Sequence, residues 1–453
     1  MGDKKGKQYE MDMCNGPLLK KIIIFTLPLM ASSLLQLLFN AADIIVVGRF
    51  AGDNSLAAVG STSSLVNLLV NLFIGLSIGS NVLVGRYYGA RREKDLSETI
   101  HTSIAISIVS GFLLTIIGCF GAKWILNLMG TPKEVMDLAV IYLRIYFVGM
   151  PAMMLYNFGA AILRAIGDTQ RPLRYLTLAG IINVTLNLIF VIYLHLDVFG
   201  VGLATTISQV VSAYLVVSCL LNDEGSIKLH LNKIKINKDK LIQILKIGLP
   251  AGFQGILFSI SNVVIQSSVN SFGATIVAGN SAASNVEGFV YVGMNSFYQA
   301  AISFTSQNYG AGKYDRIKKI LFISVSCSVS VGAVMGIGAY LLGPHLLALY
   351  TTSGAVIKAG MVRLSIISFT YALCGFMDTI VGSLRGIGYS VIPMIVSLIG
   401  VCAIRLLWIA TVFQIPEYHN IRTVYVIYPI TWIITAIAHF ITFSIAMRRI
   451  KKL

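Results

Sequence analysis

The stretch that decides the fold is LPLMASSLLQLLFNAADIIVVGRFAGDNSLAAVG, residues 27–60. It is apolar over most of its length, has a proline near its start (Pro28), and ends in a glycine-rich segment that contains Arg49. One carboxylate, Asp43, lies inside the apolar part. A carboxylate at membrane depth costs about 3 kcal/mol or more, so such residues mark ion or substrate pathways. Asp43 is therefore the first predicted functional residue.

The composition places the whole chain in a lipid bilayer. Of its 453 residues 56% are hydrophobic and 12% charged, and the mean hydropathy is +0.79. About 20 apolar residues cross the hydrocarbon core. The pattern predicts an all-α membrane protein of twelve transmembrane helices, at about 18–48, 56–84, 97–121, 136–162, 173–195, 199–221, 241–270, 276–305, 317–342, 357–383, 391–413 and 424–447.

The net charge of +16 does not indicate nucleic-acid binding, because the basic residues lie in separate loops. With a cytoplasmic N-terminus, most of them fall in cytoplasmic segments, as the positive-inside rule requires. We expect a protein of the cell inner (plasma) membrane with both termini cytoplasmic. The basic start leads into a span too long for a cleavable signal peptide.

An internal repeat divides the spans into two sets of six. YYGAR at 87–91 matches NYGAG at 308–312, and LRAIGDTQRP at 163–172 matches LRGIGYSVIP at 384–393, both displaced by 221 residues. An even number of spans per repeat gives both halves the same orientation, and a cleft between such bundles is typical of transporters. The predicted segments are a cytoplasmic tail 1–17, an N-lobe 18–222, a cytoplasmic linker 223–240, a C-lobe 241–447 and a basic tail 448–453.

These motifs, together with VGRFAG at 47–52 and SFTSQNYGAGKYDRIKK at 303–319, resemble the MATE family of multidrug and toxic compound extrusion transporters, over about residues 15–447. The resemblance implies two pseudo-symmetric six-helix bundles and a non-enzymatic antiporter without cofactors. It would exchange amphipathic organic cations, including antibiotics, for protons or sodium ions by alternating access. We expect a monomer in the lipid bilayer. The alternative is a lipid-linked precursor flippase of the same superfamily.

The resemblance also implies an ion-coupling site in the N-lobe. Asp43 matches the family's aspartate on the first helix, Asn183 an asparagine of the fifth, and Thr205 a threonine of the sixth. Proton-coupled bacterial members carry a second aspartate four residues after the asparagine, where this chain has Asn187. An amide cannot carry a proton, so a relay between two carboxylates is not available.

In the C-lobe, Asp378 matches an acidic position of the tenth helix in sodium-coupled members, and Glu287 an acidic position of the eighth in some eukaryotic ones. The glutamate that sodium-coupled members carry on the seventh helix has no counterpart, which leaves the coupling ion open. In the first half of the repeat, the positions equivalent to these two acids are Val66 and Asn157. That asymmetry suggests ion coupling in one lobe and substrate recognition in the other. The alternative is structural pairing, for instance with Arg363 or Arg405.

Helical spacing adds neighbours to the N-lobe site. Asn40 and Gln36, three and seven residues before Asp43, share its face, and Asn183 lies one turn from Asn187. Amide and carboxylate oxygens suit a monovalent cation such as sodium, and the same amides can hydrogen-bond a protonated carboxyl group. The alternatives are that Asp43 caps a helix or pairs with Arg49, and that the amides only join helices.

The remaining predictions concern bends, snorkelling and the cavity wall. Pro28, Pro151 and Pro250 are hinges, or helix starts in the case of Pro28 and Pro250. Arg144 and Arg363 snorkel to the membrane surface and have no transport role. The predicted substrate cavity uses Gln36, Asn157 and the aromatic residues Phe289, Tyr291 and Tyr298, which would hold flat cations by stacking; the aromatic residues could equally face lipid.

Overall fold

The computed structural model describes residues 9–451, so parts of the two predicted tails lie outside it. The described chain is nearly all helical. The α-helices are α1 (Leu18–Val46), α2 (Asp53–Gly89), α3 (Glu93–Leu128), α4 (Lys133–Val148), α5 (Met150–Ala165), α6 (Gln170–Leu188), α7 (Asp197–Leu221), α8 (Lys238–Asn270), α9 (Ala274–Gly310), α10 (Tyr314–Leu341), α11 (Gly343–Ala348), α12 (Gly354–Gly386), α13 (Val391–Ser397), α14 (Ile404–Ala410) and α15 (Ile421–Ile450). Short π-helical segments at Val47–Ala51, Ile189–Tyr193 and Leu398–Ala403 extend α1 and α6 and join α13 to α14.

The repeat seen in the sequence is present in the backbone. Helices α2 and α9 begin and end at positions 221 residues apart, as do the ends of α5 and α12 and the starts of α6 and α13. The turns also repeat, because Gly52 and Gly273 have φ angles of 85° and 89°, and Gly167 and Gly388 both have 94°. Only glycine adopts these angles without strain.

The described residues form two compact units, 9–12 with Ala31–Gly252, and Met13–Met30 with 253–451. From here on, N-lobe and C-lobe mean these two units, whose bounds differ from the predicted 18–222 and 241–447. Helix α1 passes from the C-lobe to the N-lobe after Met30, and α8 passes from the N-lobe to the C-lobe after Gly252. Pro28 and Pro250 lie inside these helices, each two residues before the change of unit. Neither proline starts a helix, so that alternative is wrong.

Ten described helices are long and apolar enough to cross a membrane, and α4 with α5 makes an eleventh span bent by 45°. Pro151 stands in the first turn of α5, directly after this bend. The predicted span 276–305 is present as the 37-residue helix α9, which is not among the eleven because its serine, asparagine and glutamine side chains lower its hydropathy.

In the N-lobe, α2, α3, α4, α5 and α7 pack around the larger apolar cluster, and a smaller cluster of valines joins the ends of α1 and α6 to α2 and α7. Helices α3 and α5 approach closely where Gly111 lies against the backbone of Pro151, with no room for a Cβ atom. The motif LRAIGDTQRP ends α5 and starts α6. In it, Asp168 accepts hydrogen bonds from the backbone N–H groups of Gln170 and Arg171, at 3.1 and 3.0 Å, and fixes the turn.

The C-lobe is built on the pair α9 and α12, with α10 and α15 against them. The first turns of α1 belong to this unit, where the ring of Phe25 packs edge-on against Phe304 at 5.5 Å between centroids. The segment before α1 is held by Asn308, whose amide donates to the carbonyl of Met13 at 3.0 Å.

Candidate functional site

The N-lobe holds a polar site between α1, α6 and α7. Gly180 of α6 leaves room for the ring of Phe39 of α1, which occupies the place of a Cβ atom. Asp43 lies one turn after Phe39 on α1, and Asn187 lies two turns after Gly180 on α6. The close approach of the two helices at Gly180 thus puts the carboxylate beside the amide.

Hydrogen bonds join four predicted residues into one chain. The amide of Asn187 donates to a carboxylate oxygen of Asp43 and lies 3.4 Å from the amide oxygen of Asn183. The amide of Asn183 donates to the Thr205 hydroxyl at 3.3 Å, and that hydroxyl donates to the carbonyl of Val201 at 3.0 Å. The structure therefore brings Asp43, Asn183, Asn187 and Thr205 together, with both asparagines buried.

One acceptor in this series of hydrogen bonds receives no donor. The amide oxygen of Asn187 is buried and has no hydrogen-bond partner. A buried acceptor without a partner costs about 1–3 kcal/mol, and a proton on a carboxyl group or a bound cation would satisfy it. The site thus offers oxygen atoms of carboxylate, amide and hydroxyl type to a small cation.

The other residues predicted to share the Asp43 face of α1 lie apart from this hydrogen-bonded series. Asn40 and Gln36 are exposed, and among the described hydrogen bonds none joins either residue to Asp43. Arg49 is also exposed, and no ion pair within residues 9–451 involves Asp43. The half-buried carboxylate of Asp43 is bound by an amide of α6 and not by the arginine considered as an alternative.

The C-lobe holds a different polar site, in which an acid and an arginine neutralise each other. Arg363 of α12 donates to both carboxylate oxygens of Glu287 of α9, at 3.0, 3.2 and 2.7 Å, and to the amide oxygen of Asn280 at 2.7 Å. Helices α9 and α12 meet at Gly279 and Gly360, where a Cβ atom would lie 2.7 Å from the facing backbone. This contact brings Glu287 and Arg363 within reach of each other.

The prediction that Arg363 snorkels to the membrane surface is wrong. Its side chain is buried, and its guanidinium carbon lies 5.6 and 5.7 Å from the ring centroids of Tyr425 and Tyr428. Glu287 is paired with Arg363, as the alternative of structural pairing predicted. A second arginine, Arg405, packs on Tyr428 at 4.1 Å. Sequence reasoning named both arginines only as possible structural partners of the C-lobe acids, although a basic residue well inside an apolar span also indicates a functional site. Arg144 is exposed, and its Nε donates to the carbonyl of Cys119 at 3.1 Å.

Asp378 lies apart from this pair, further along α12. The thiol of Cys374, one turn earlier, is 4.0 Å from its carboxylate, and Tyr291 of α9 is close enough to hydrogen-bond it. Within residues 9–451 no ion pair involves Asp378. Arg385, two turns further on, donates to the hydroxyl of Tyr298 and to the amide oxygen of Gln254.

The predicted cavity residues are not gathered in one place. Tyr298 is buried, whereas Phe289 and Tyr291 are partly exposed on α9. The amide of Asn157 donates to the carbonyl of Met153 in its own helix at 2.9 Å. A cavity of about 320 Å³ lies where the linker meets α3, and its lining contains none of the predicted site residues; it is formed by Ser97, Glu98, His101, Asn232, Lys233, Lys235 and Asn237.

Two repeated helical units, each with a polar site buried among apolar spans, define a multi-pass membrane transporter. The MatE family model matches residues 28–189 and 250–409, so both halves are recognised. The chain belongs to the MatE family of multidrug transporters, and it is not an enzyme.

Curated relatives are named for multidrug resistance or multidrug export. "Probable multidrug resistance protein YoeA" of Bacillus subtilis is 28% identical over 421 residues, with 90% of each chain covered. "Multidrug export protein MepA" of Staphylococcus aureus (strain N315) is 22% identical over 372 residues, with 82% of each chain covered. A crystal structure of "MATE in complex with MaL6" superimposes with a TM-score of 0.92 at 24% identity, covering 99% of this chain and 100% of the other. The predicted fold class is thereby confirmed.

Proposed function

We propose that this protein exports amphipathic, mostly cationic organic compounds in exchange for a proton or a sodium ion that binds at Asp43. The observation that carries the proposal is the hydrogen-bonded chain Asp43–Asn187–Asn183–Thr205, which contains one carboxylate and one unused buried acceptor. The printed names of the relatives YoeA and MepA support drugs as the exported compounds and favour export over the flippase alternative.

The exchange follows from competition for one negative charge. A bound proton or sodium ion neutralises Asp43, and a cationic drug competes for the same charge when the ion leaves. Asn187 cannot take up a proton, so a single carboxylate serves the coupling ion in this lobe. No cofactor is needed for this exchange. Of the two C-lobe acids, Glu287 is already neutralised by Arg363, whereas Asp378 has no ion pair among the described residues; we place coupling at Asp43 because it is bound by Asn187, whose amide oxygen is an unused buried acceptor.

Alternating access would use the two helices that belong to both units. α1 and α8 change unit two residues after Pro28 and Pro250, and each proline removes a backbone hydrogen bond at that level. Bending at these points, with the break before Pro151, would expose the site first to one side of the membrane and then to the other. The protein would act as a monomer in the inner membrane, with both termini cytoplasmic.

The test is ethidium transport in proteoliposomes under separately imposed proton and sodium gradients. We expect ethidium to move against its gradient with one of the two ions and not with a membrane potential alone. The same ion should reduce equilibrium ethidium binding to the purified protein. The Arg49→Gln variant, which changes an exposed residue near Asp43, serves as the matched control. Transport driven by neither gradient would refute the proposal.

A further inference from the structure

The linker is held against the start of α3 by hydrogen bonds at two points. His101 of α3 is buried, and its Nε2 lies 3.0 Å from the backbone nitrogen of His230. Further along the linker, the backbone N–H of Asn237 donates to the hydroxyl of Thr102 at 3.1 Å. Because a backbone N–H can only donate, Nε2 of His101 is an acceptor, and the proton lies on Nδ1, which donates to the carbonyl of Ser97 at 2.6 Å. His101 is therefore neutral, and the linker is fixed to α3 on both sides of a short segment.

The cavity of about 320 Å³ is lined by this fixed segment and by the start of α3. Its volume falls in the range of small-ligand sites, about 300–1,000 Å³. Lys233 and Lys235 contribute two cations to the lining, and Glu98 contributes one acid. The carboxylate of Glu98 already accepts a hydrogen bond from the side-chain amide of Asn237 at 3.2 Å. The lining therefore has an excess of one positive charge.

The two lysines of the lining have no acid that neutralises them. Both are exposed, and no ion pair within residues 9–451 includes Lys233 or Lys235. Their surroundings are positive, because partial burial and the charges of Lys233 and Lys228 lower the pKa of the His230 ring. A lysine ammonium group offers three donors and a point charge, which suit a phosphate group. This wall of the cavity therefore attracts an anion.

The position of the linker indicates that the anion belongs to a lipid. The linker joins the ends of two spanning helices, α7 and α8, so it lies at a membrane surface. Two large apolar side chains, Leu231 and Ile236, stand before and after the lysines in sequence and are 65% and 46% exposed. Basic residues interleaved with exposed apolar ones beside a spanning helix are typical of segments that bind anionic lipids. A soluble phosphate would leave the apolar pair without a partner.

We propose that the linker cavity binds the headgroup of an anionic phospholipid, with Lys233 and Lys235 on its phosphate and with Leu231 and Ile236 against its acyl chains. The chemistry that the lysines recognise is a phosphate ester, which a soluble metabolite could also supply. The exposed apolar pair favours the lipid as its source. The proposal is independent of drug export, because it concerns a site on the linker and α3 and not the site at Asp43.

The site adjoins the start of α8. The side-chain oxygen of Asn237 accepts hydrogen bonds from the backbone N–H groups of Asp239 and Lys240, at 3.0 and 3.3 Å, and so caps this helix. Asn237 also lines the cavity. Lys240 is buried and paired with Asp95 of α3. A lipid bound in the cavity therefore contacts the residue that caps α8 and stabilises the first turn of the helix.

The test is native mass spectrometry of the full chain in detergent, titrated with phosphatidylglycerol and with phosphatidylcholine of the same acyl chains. We expect the wild type to bind phosphatidylglycerol at least about tenfold more strongly, and the double variant Lys233→Gln with Lys235→Gln to lose this preference. Lys233→Arg with Lys235→Arg keeps both charges and should keep the preference. The matched control is Lys318→Gln with Lys319→Gln, because both lysines are exposed and the repeat shift of 221 places them at the start of α3.

Further arms of the experiment identify the source of the phosphate. Glycerol phosphate, which has no acyl chains, should not bind at the concentration at which phosphatidylglycerol saturates the site, and Leu231→Ser with Ile236→Ser should weaken phosphatidylglycerol binding. Equal binding of glycerol phosphate and phosphatidylglycerol would assign the cavity to a soluble phosphate ester and overturn the lipid proposal.

Two other results would also overturn it. One is a preference for phosphatidylglycerol that survives in Lys233→Gln with Lys235→Gln, and the other is an equal loss in the control variant. The substituted side chains are exposed, so we expect all variants to melt at the wild-type temperature. Because lipid binding is measured directly, a failure of ethidium export would refute the proposed function and leave this inference standing.

Discussion

The polar sites of the two lobes use different positions of the repeat: adding the shift of 221 to Asp43 gives Val264, and subtracting it from Glu287 gives Val66. In the N-lobe, Asp43 accepts a hydrogen bond from the amide of Asn187, and no ion pair among the described residues neutralises its carboxylate. Subtracting the repeat shift of 221 places Arg363 at Tyr142 and Arg405 at Val184, the neighbour of Asn183. The C-lobe thus has arginines where the N-lobe has neutral residues, and a positive excess. One duplicated scaffold therefore carries a carboxylate bound by an amide in one lobe and an acid paired with an arginine in the other.

The largest expected effect is loss of export in Asp43→Asn. The amide keeps the size and one hydrogen-bond acceptor but cannot bind a proton or attract a cation, so ion-driven ethidium transport should fall to the level of empty vesicles. Thermal unfolding should stay near the wild-type temperature, because a half-buried charge is removed. Transport at the wild-type rate would mean that the coupling site lies elsewhere.

Glu287→Gln tests the contrasting role of the C-lobe acid. It leaves Arg363 buried without a counter-charge, which costs about 3–5 kcal/mol, so we expect a clearly lower melting temperature in detergent. The double variant Glu287→Gln with Arg363→Met removes both charges and should recover most of the lost stability. A single variant as stable as the wild type would show that the ion pair does not hold α9 to α12.

Asn187→Leu tests how strongly the amide supports Asp43. It removes the donor that Asp43 accepts from, and a hydrogen bond to a charged group contributes about 1.5–3 kcal/mol. We expect the apparent affinity for the coupling ion, measured by its competition with ethidium, to change by at least about tenfold. Thr185→Val is the control, since Thr185 lies exposed on the same helix and bonds to its own backbone. Equal results for both variants would exclude a role for Asn187.

The smallest effects are expected at the glycines that bring helices together. Gly180→Ala and Gly279→Ala should each cost about 1–3 kcal/mol in stability. Phe39→Leu should restore stability to Gly180→Ala, because the new Cβ atom meets the side chain of Phe39 there. In Gly279→Ala the new Cβ atom would lie 2.7 and 2.8 Å from backbone atoms of Gly360 and Val356, which no side-chain substitution removes. Gly338→Ala, with open space around it, is the control. Melting temperatures of the three glycine variants measure these effects. Equal rescue of Gly180→Ala and Gly279→Ala by a smaller neighbouring side chain would contradict the contrast between a side-chain obstacle and a backbone obstacle.

The sequence predicted the repeat well, because a displacement of 221 residues is visible in the motifs without any knowledge of packing. It also predicted that Asn183 and Asn187 share a face, since that depends only on helical spacing. Asn40 satisfied the same spacing rule yet lies exposed, because spacing does not say which side of α1 meets α6. The partner of Glu287 depends on the backbone contact at Gly279 and Gly360, which no local pattern encodes.

The division of α1 between the lobes has a consequence for biosynthesis. Met13 and Phe25 are synthesised nearly three hundred residues before their partners Asn308 and Phe304. The first turns of α1 must therefore wait in the membrane, unsupported, until the second half has been inserted. A truncated chain that ends within the linker would leave this surface open to membrane chaperones and proteases, so the two halves depend on each other for assembly even though each repeats the other's fold.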